Sequence, residues 1–80
     1  MARTAALRKV LAEVIRESEL PRTLIAKDAS LGRATLESWL SGIRTPSPES
    51  AGQIASALEM RATRLTSLAA RLRQALRAGK

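Results

Sequence analysis

Eighty residues permit one domain with a small core, since a chain this short buries only about 60% of the surface its unfolded form exposes. No cysteine means no disulfide or thiolate chemistry, and no histidine removes the commonest general base and the commonest metal ligand together. The formal charge of +7, from 14 basic and 7 acidic side chains, favours polyanionic partners.

The first predicted helix covers roughly residues 5–18, where Leu7, Val10, Leu11, Val14 and Ile15 recur on one face and Thr4 is placed to cap the start. Pro21 enforces a break. Helix 2 runs roughly from 22 to 29 around Leu24 and Ile25, and Ser30, Leu31 and Gly32 make a turn. Helix 3 runs roughly from 33 to 41, turning Leu36, Trp39 and Leu40 inward, and Gly42 is its stop. Ser47-Pro48-Glu49 is a strong helix start, with a serine cap, a proline at the first position and an acid in the first turn. It opens helix 4, roughly 48–58, expected to bury Ala51, Ile54, Ala55 and Leu58. Helix 5 follows over roughly 62–78, with Leu65, Leu68, Leu72 and Leu76 along one stripe and arginines elsewhere. No alternation suits a strand, so the expected fold is all-α with five helices.

The segment from Arg22 to Gly42 carries the functional information. Two helices joined tightly need a small residue where they cross, an apolar plug in the turn and two buried anchors in the second helix. Ala26, Leu31, Leu36 and Trp39 meet those demands. Arg33, Ala34, Glu37 and Ser38 then fall on the free side or the leading end of helix 3. This is the layout of a helix-turn-helix over residues 22–42, whose second helix enters the DNA major groove. Arginine can bond guanine O6 and N7 in a fork, and serine or glutamate can read the neighbouring pair. Glu37 either accepts from a cytosine amino group or holds Arg33 in position.

On these residues the chain resembles the lambda/Cro-type (Xre-family) repressor domain, a five-helix fold, over residues 7–68. The likeness rests on Ala26, Leu31, Leu36-Glu-Ser-Trp39, Gly42-Ile-Arg-Thr-Pro46 and Ala57-Leu58. The run from Trp39 to Pro46 is similar to the family's W-E-x-G-x-x-x-P segment. Two positions depart from the pattern: Ser30 stands where the turn usually has glycine, and Leu40 where glutamate usually follows the tryptophan. The resemblance implies base contacts by Arg33, Ala34 and Ser38, a phosphate contact by Arg22, and backbone contacts by Arg44 and Thr45.

Charge is unevenly spread. Residues 1–60 hold eight basic and seven acidic side chains, whereas Arg61, Arg64, Arg71, Arg73, Arg77 and Lys80 face no acid after residue 60. The resemblance implies that Leu65 and Leu68 close the family's own core, whereas Leu72 and Leu76 extend the apolar stripe past its usual domain end; Leu68, Leu72 and Leu76 together suggest a homodimer interface. A helix folded back onto helix 1 is the plainer account of the same stripe. The chain is accordingly expected to be a dimeric transcriptional repressor that occupies a palindromic operator in double-stranded DNA. Rival readings are an antitoxin-like adaptor or antiactivator that grips a protein partner, and a DNA-packaging or recombination accessory. No catalytic residue, metal site or cofactor is expected, so the chain is read as a non-enzyme. The lack of a spanning apolar run or signal-peptide core argues against a membrane and for a cytoplasmic, nucleoid-associated protein.

Overall fold

Three short helices and one long one make up the computed structural model, which describes the backbone of residues 2–79 and the side chains of 6–79. The helices are α1 (Ala2–Ser18), α2 (Arg22–Asp28), α3 (Arg33–Leu40) and α4 (Pro48–Ala78), and no strand occurs among the described residues. The protein is all-α. Lys80, counted above with the C-terminal charge, lies outside the described residues.

The expected break between helices 4 and 5 does not exist. Glu59-Met60-Arg61-Ala62 contains neither proline nor glycine, so nothing interrupts the i to i−4 ladder and a single 31-residue helix results. Its length, about 46 Å at 1.5 Å per residue, explains why the molecule measures 58 × 22 × 19 Å. At α1, the helix already begins at Ala2, so Thr4 lies inside the first turn and is not its cap.

The expected chemistry at the start of α4 is present. Ser47 Oγ accepts the Ser50 backbone N–H at 3.0 Å, Pro48 takes the first helical position and Glu49 lies in the first turn.

Helices α1, α2 and α3 each end on a residue in the left-handed region: Glu19 (φ 59°), Ser30 (φ 58°) and Gly42 (φ 84°). After α2 the stop is a complete Schellman motif. The Ser30 N–H bonds the Lys27 carbonyl at 3.1 Å and the Leu31 N–H bonds the Ala26 carbonyl at 2.8 Å. Serine thus holds the strained turn position that glycine fills without cost. Ser30→Gly is expected to stabilise the protein by about 0.5–1 kcal/mol, raising the melting temperature by roughly 2–6 °C in a thermal melt. After α1, the Ser18 hydroxyl relays the equivalent bond, donating to the Ile15 carbonyl at 2.7 Å and accepting the Leu20 N–H at 3.2 Å.

Leu11, Ile15, Ile25, Ala26, Ala29, Leu36, Trp39, Ile54 and Ala57 form the core, flanked by half-buried Leu20, Leu31, Leu40 and Leu58. Helix α2 packs on both α3 and α4, and α1 packs on the same two. Pro46, in the α3–α4 connection, is also fully buried. Val10 and Val14 do not join the core, at 53% and 38% exposed. The five apolar residues of α1 span a sector of about 140°, wider than its small neighbours cover, and only the Leu11–Ile15 side is sealed. Ala55 is exposed as well, and Ala57 takes the buried place on α4.

One ion pair fastens the long helix to the body. Arg61 Nε donates to Asp28 Oδ2 at 2.6 Å, with both side chains about three-quarters covered. The hydrogen bond from Arg61 holds the Asp28 carboxyl below its ordinary range. Such a carboxylate adds stability above its unfolded pKa and loses that contribution as pH falls through the lowered folded value. Asp28→Asn is therefore expected to be less stable than wild type in urea at pH 7, with the difference fading below about pH 4.

Candidate nucleic-acid interface

Helix α3 is two-faced. Leu36 and Trp39 are buried, and at 100° per residue Ala34, Glu37, Ser38 and Ser41 lie on the far side. Leu40, where the resemblance leads one to expect glutamate, is half-buried against the core. It also lines a shallow depression with Ala12, Ile15, Leu20 and Arg22. An apolar contact thus lies beneath α3.

Arg33 opens the helix with its side chain 69% exposed. Gly32 precedes it in an extended conformation (φ −73°, ψ 145°) and supplies no capping side chain, and the first turn carries no acid. The leading N–H groups of α3 are thus left to solvent or to an external acceptor. Helix α2 likewise begins at Pro21 with no side-chain cap, and Arg22 is its first residue.

Glu37 joins the two helices. Its Oε1 accepts from Arg22 Nη1 at 2.9 Å, and its Oε2 lies 3.9 Å from Arg33 Nε. The closer partner is Arg22, a pairing that sequence spacing did not reveal because the residues are 15 apart. The carboxylate stands between the two arginines and brings them into one charged cluster across the α2–α3 junction. Both ion pairs are exposed, so they orient the side chains more than they stabilise the fold.

The other candidate residues are spread more widely. Ala34 is exposed beside Arg33. The Ser38 hydroxyl donates to the Thr35 carbonyl at 2.7 Å, which commits its proton within the helix and leaves its lone pairs as acceptors. Arg44 and Thr45 are exposed beyond the far end of α3. The Arg44 N–H bonds the Ser38 carbonyl at 3.1 Å and the Gly42 N–H bonds the Trp39 carbonyl at 3.2 Å, giving this loop a defined course. A Cβ on Gly42 would meet Arg8 Nη1 at 3.3 Å, besides occupying a left-handed position. Ser41, exposed on the same side as Ala34, belongs with the candidates and was missed because Gly42 drew the helix boundary onto it.

Leu68, Leu72 and Leu76 lie apart from this cluster on the projecting half of α4, at 42%, 65% and 71% exposed. The helix continues unbroken past residue 58, and its residues from 62 on are exposed and do not fold back on α1.

Among the described residues no group of His, Cys, Asp or Glu is arranged to hold a metal, and no helix is long and apolar enough to cross a membrane. Compared with protein-family models, with curated proteins and with solved structures, the chain matches none of them.

Proposed function

We propose that the protein binds double-stranded DNA with sequence preference and acts as a dimeric transcriptional repressor of the lambda/Cro type, blocking a promoter by occupying it. The observation that carries this reading is the α2–α3 unit: one side of α3 is sealed in the core, and the other presents Ala34 and Ser38 beside Arg33 and Arg22 of α2, the two arginines that Glu37 links. Helix α3 has the dimensions to enter a major groove, and its uncapped start suits a phosphate. In this reading Arg33 reads base edges, Arg22 and the Arg44–Thr45 loop grip the backbone, and Glu37 holds Arg22 and Arg33 in place. Phosphate contacts supply register while the α3 side chains supply sequence preference. Leu68, Leu72 and Leu76 join two copies, so that two α3 helices address two half-sites of a palindrome.

Selection of binding sites from genomic fragments by the purified protein tests the reading, which expects an enriched palindrome. Two variants then divide the roles. Arg33→Ala is expected to cost about 1–3 kcal/mol on the selected site and to relax preference there. Arg22→Ala is expected to weaken all sequences alike and to flatten the salt dependence by roughly one unit. Titrations on selected and random duplexes across salt concentrations distinguish them, and equal loss for Arg33→Ala on both duplexes makes it a phosphate contact instead.

The near-neutral balance of residues 1–60 favours a second reading, in which the same fold serves as an adaptor for a protein partner. Absence of any enriched site transfers the weight to it.

A further inference from the structure

Two apolar strips of this chain lie open, and their borders carry opposite charge. On α4, Leu65, Leu68, Leu72 and Leu76 fall within a sector of about 80° at 100° per residue, and they are 42–71% exposed. Arg64 and Arg71 border one edge of that sector, and Arg73 and Arg77 border the other. On α1, Leu7, Val10 and Val14 fall within about 60°, beside the sealed Leu11–Ile15 side, and both valines are open to solvent. Glu17 and Glu13 border the other edge of this strip. Among the described residues none of these carboxylates and arginines enters an ion pair.

The strips match in chemistry, yet one copy cannot join them. From Gln53 to Ala78 the helix α4 has neither glycine nor proline, so its second half does not turn back onto the α1 of its own copy. We propose that the second half of α4 lies on α1 of a second copy, whose own α4 lies in return on α1 of the first. The inference rests on the dimeric reading above and names the surface that the leucines meet. Exchange of the same element between two copies gives a closed twofold pair. Leu68, Leu72 and Leu76 span about 12 Å, and Leu7, Val10 and Val14 about 10 Å, so three side chains meet three. Both edges of the α4 sector carry arginines, so the Glu13–Glu17 edge of α1 meets arginines whichever way the two helices run. Setting α4 against α4 would instead bring arginines together with no carboxylate between them.

The exchanged contact makes α1 as important to assembly as α4. Val10→Glu combined with Val14→Glu is expected to leave a helical monomer, since both valines are open in the single copy. Glu13→Lys combined with Glu17→Lys keeps the apolar strip and reverses its border. That variant is expected to raise the dimer dissociation constant at least about tenfold.

Because the chain has no cysteine, introduced thiols report which surfaces touch. Val10 and Leu72 are the middle members of their strips, so they meet in either direction. The experiment mixes full-length Val10→Cys and Leu72→Cys proteins, joins them with a short bifunctional thiol reagent and identifies the products by mass. Sedimentation of the wild type and of the two double variants accompanies it, with circular dichroism to confirm helicity. A wild-type dimer is expected, with crosslinks of Val10→Cys to Leu72→Cys in large excess over like pairs and both double variants shifted toward monomer. Leu72→Cys joined mainly to its like, or a double variant of Val10 and Val14 that dimerises as wild type does, overturns the exchanged contact and leaves the dimeric reading standing. A wild type that is monomeric at every concentration overturns both.

Discussion

Trp39→Ala is expected to cost about 3–5 kcal/mol, the largest loss of stability available from one side chain in this protein. Trp39 is 5% exposed, packs with Leu36 and Ile25 in the core cluster and is the chain's only aromatic residue. No described buried polar side-chain atom is left without a partner, so the indole N–H is not stranded in the core. A domain of this size holds roughly 4–12 kcal/mol in all, so the variant is left marginal at 25 °C. Urea unfolding followed by far-ultraviolet circular dichroism checks the magnitude. A loss below about 1 kcal/mol would contradict a load-carrying core position for this ring. Trp39→Phe keeps part of the ring contact and is expected to fall between the two proteins.

Leu72→Glu combined with Leu76→Glu is expected to act on assembly and not on the fold. Both side chains are mostly exposed and beyond the last contact with the body, so the single copy loses no packing. In a dimer the same substitutions bury carboxylates along the seam, which is unfavourable without a close partner. The variant is expected to remain helical, to sediment as a monomer and to lose binding to a two-half-site operator by about 10²–10⁴-fold, the advantage that linking two sites confers. Binding to one half-site should change little. A variant that still sediments as wild type would place the contact between copies elsewhere.

Local chemistry was legible where it acts over a few residues. Ser47-Pro48-Glu49 predicted the start of α4, Leu36 and Trp39 predicted the inner face of α3, and Ser30 was marked as the awkward residue of the turn that it proves to be. Apart from the boundary between helices 4 and 5, which was a local misjudgement, errors arose where the outcome depends on distant packing. The five-helix expectation placed a gap at residues 59–61, although no residue there breaks a helix. Periodicity placed Val10 and Val14 inside because it reports a face and not the width of the neighbour that covers it. The Asp28–Arg61 and Arg22–Glu37 pairs join residues 33 and 15 positions apart, beyond the reach of any local spacing rule. Pro46 reads as a loop residue, and only the assembled core shows it sealed.

From Gln53 to Ala78 the long helix contains neither glycine nor proline, and Arg61 clasps it to the end of α2. A lever of this kind has no swivel. In a paired molecule the angle and separation of the two α3 helices would be set by the shaft itself, with no linker to absorb a mismatch. Each base pair inserted between half-sites moves them apart by 3.4 Å and turns one about the duplex axis by roughly 35°. Such a protein reads the gap between half-sites as strictly as the bases within them, and it does so with residues that never touch DNA.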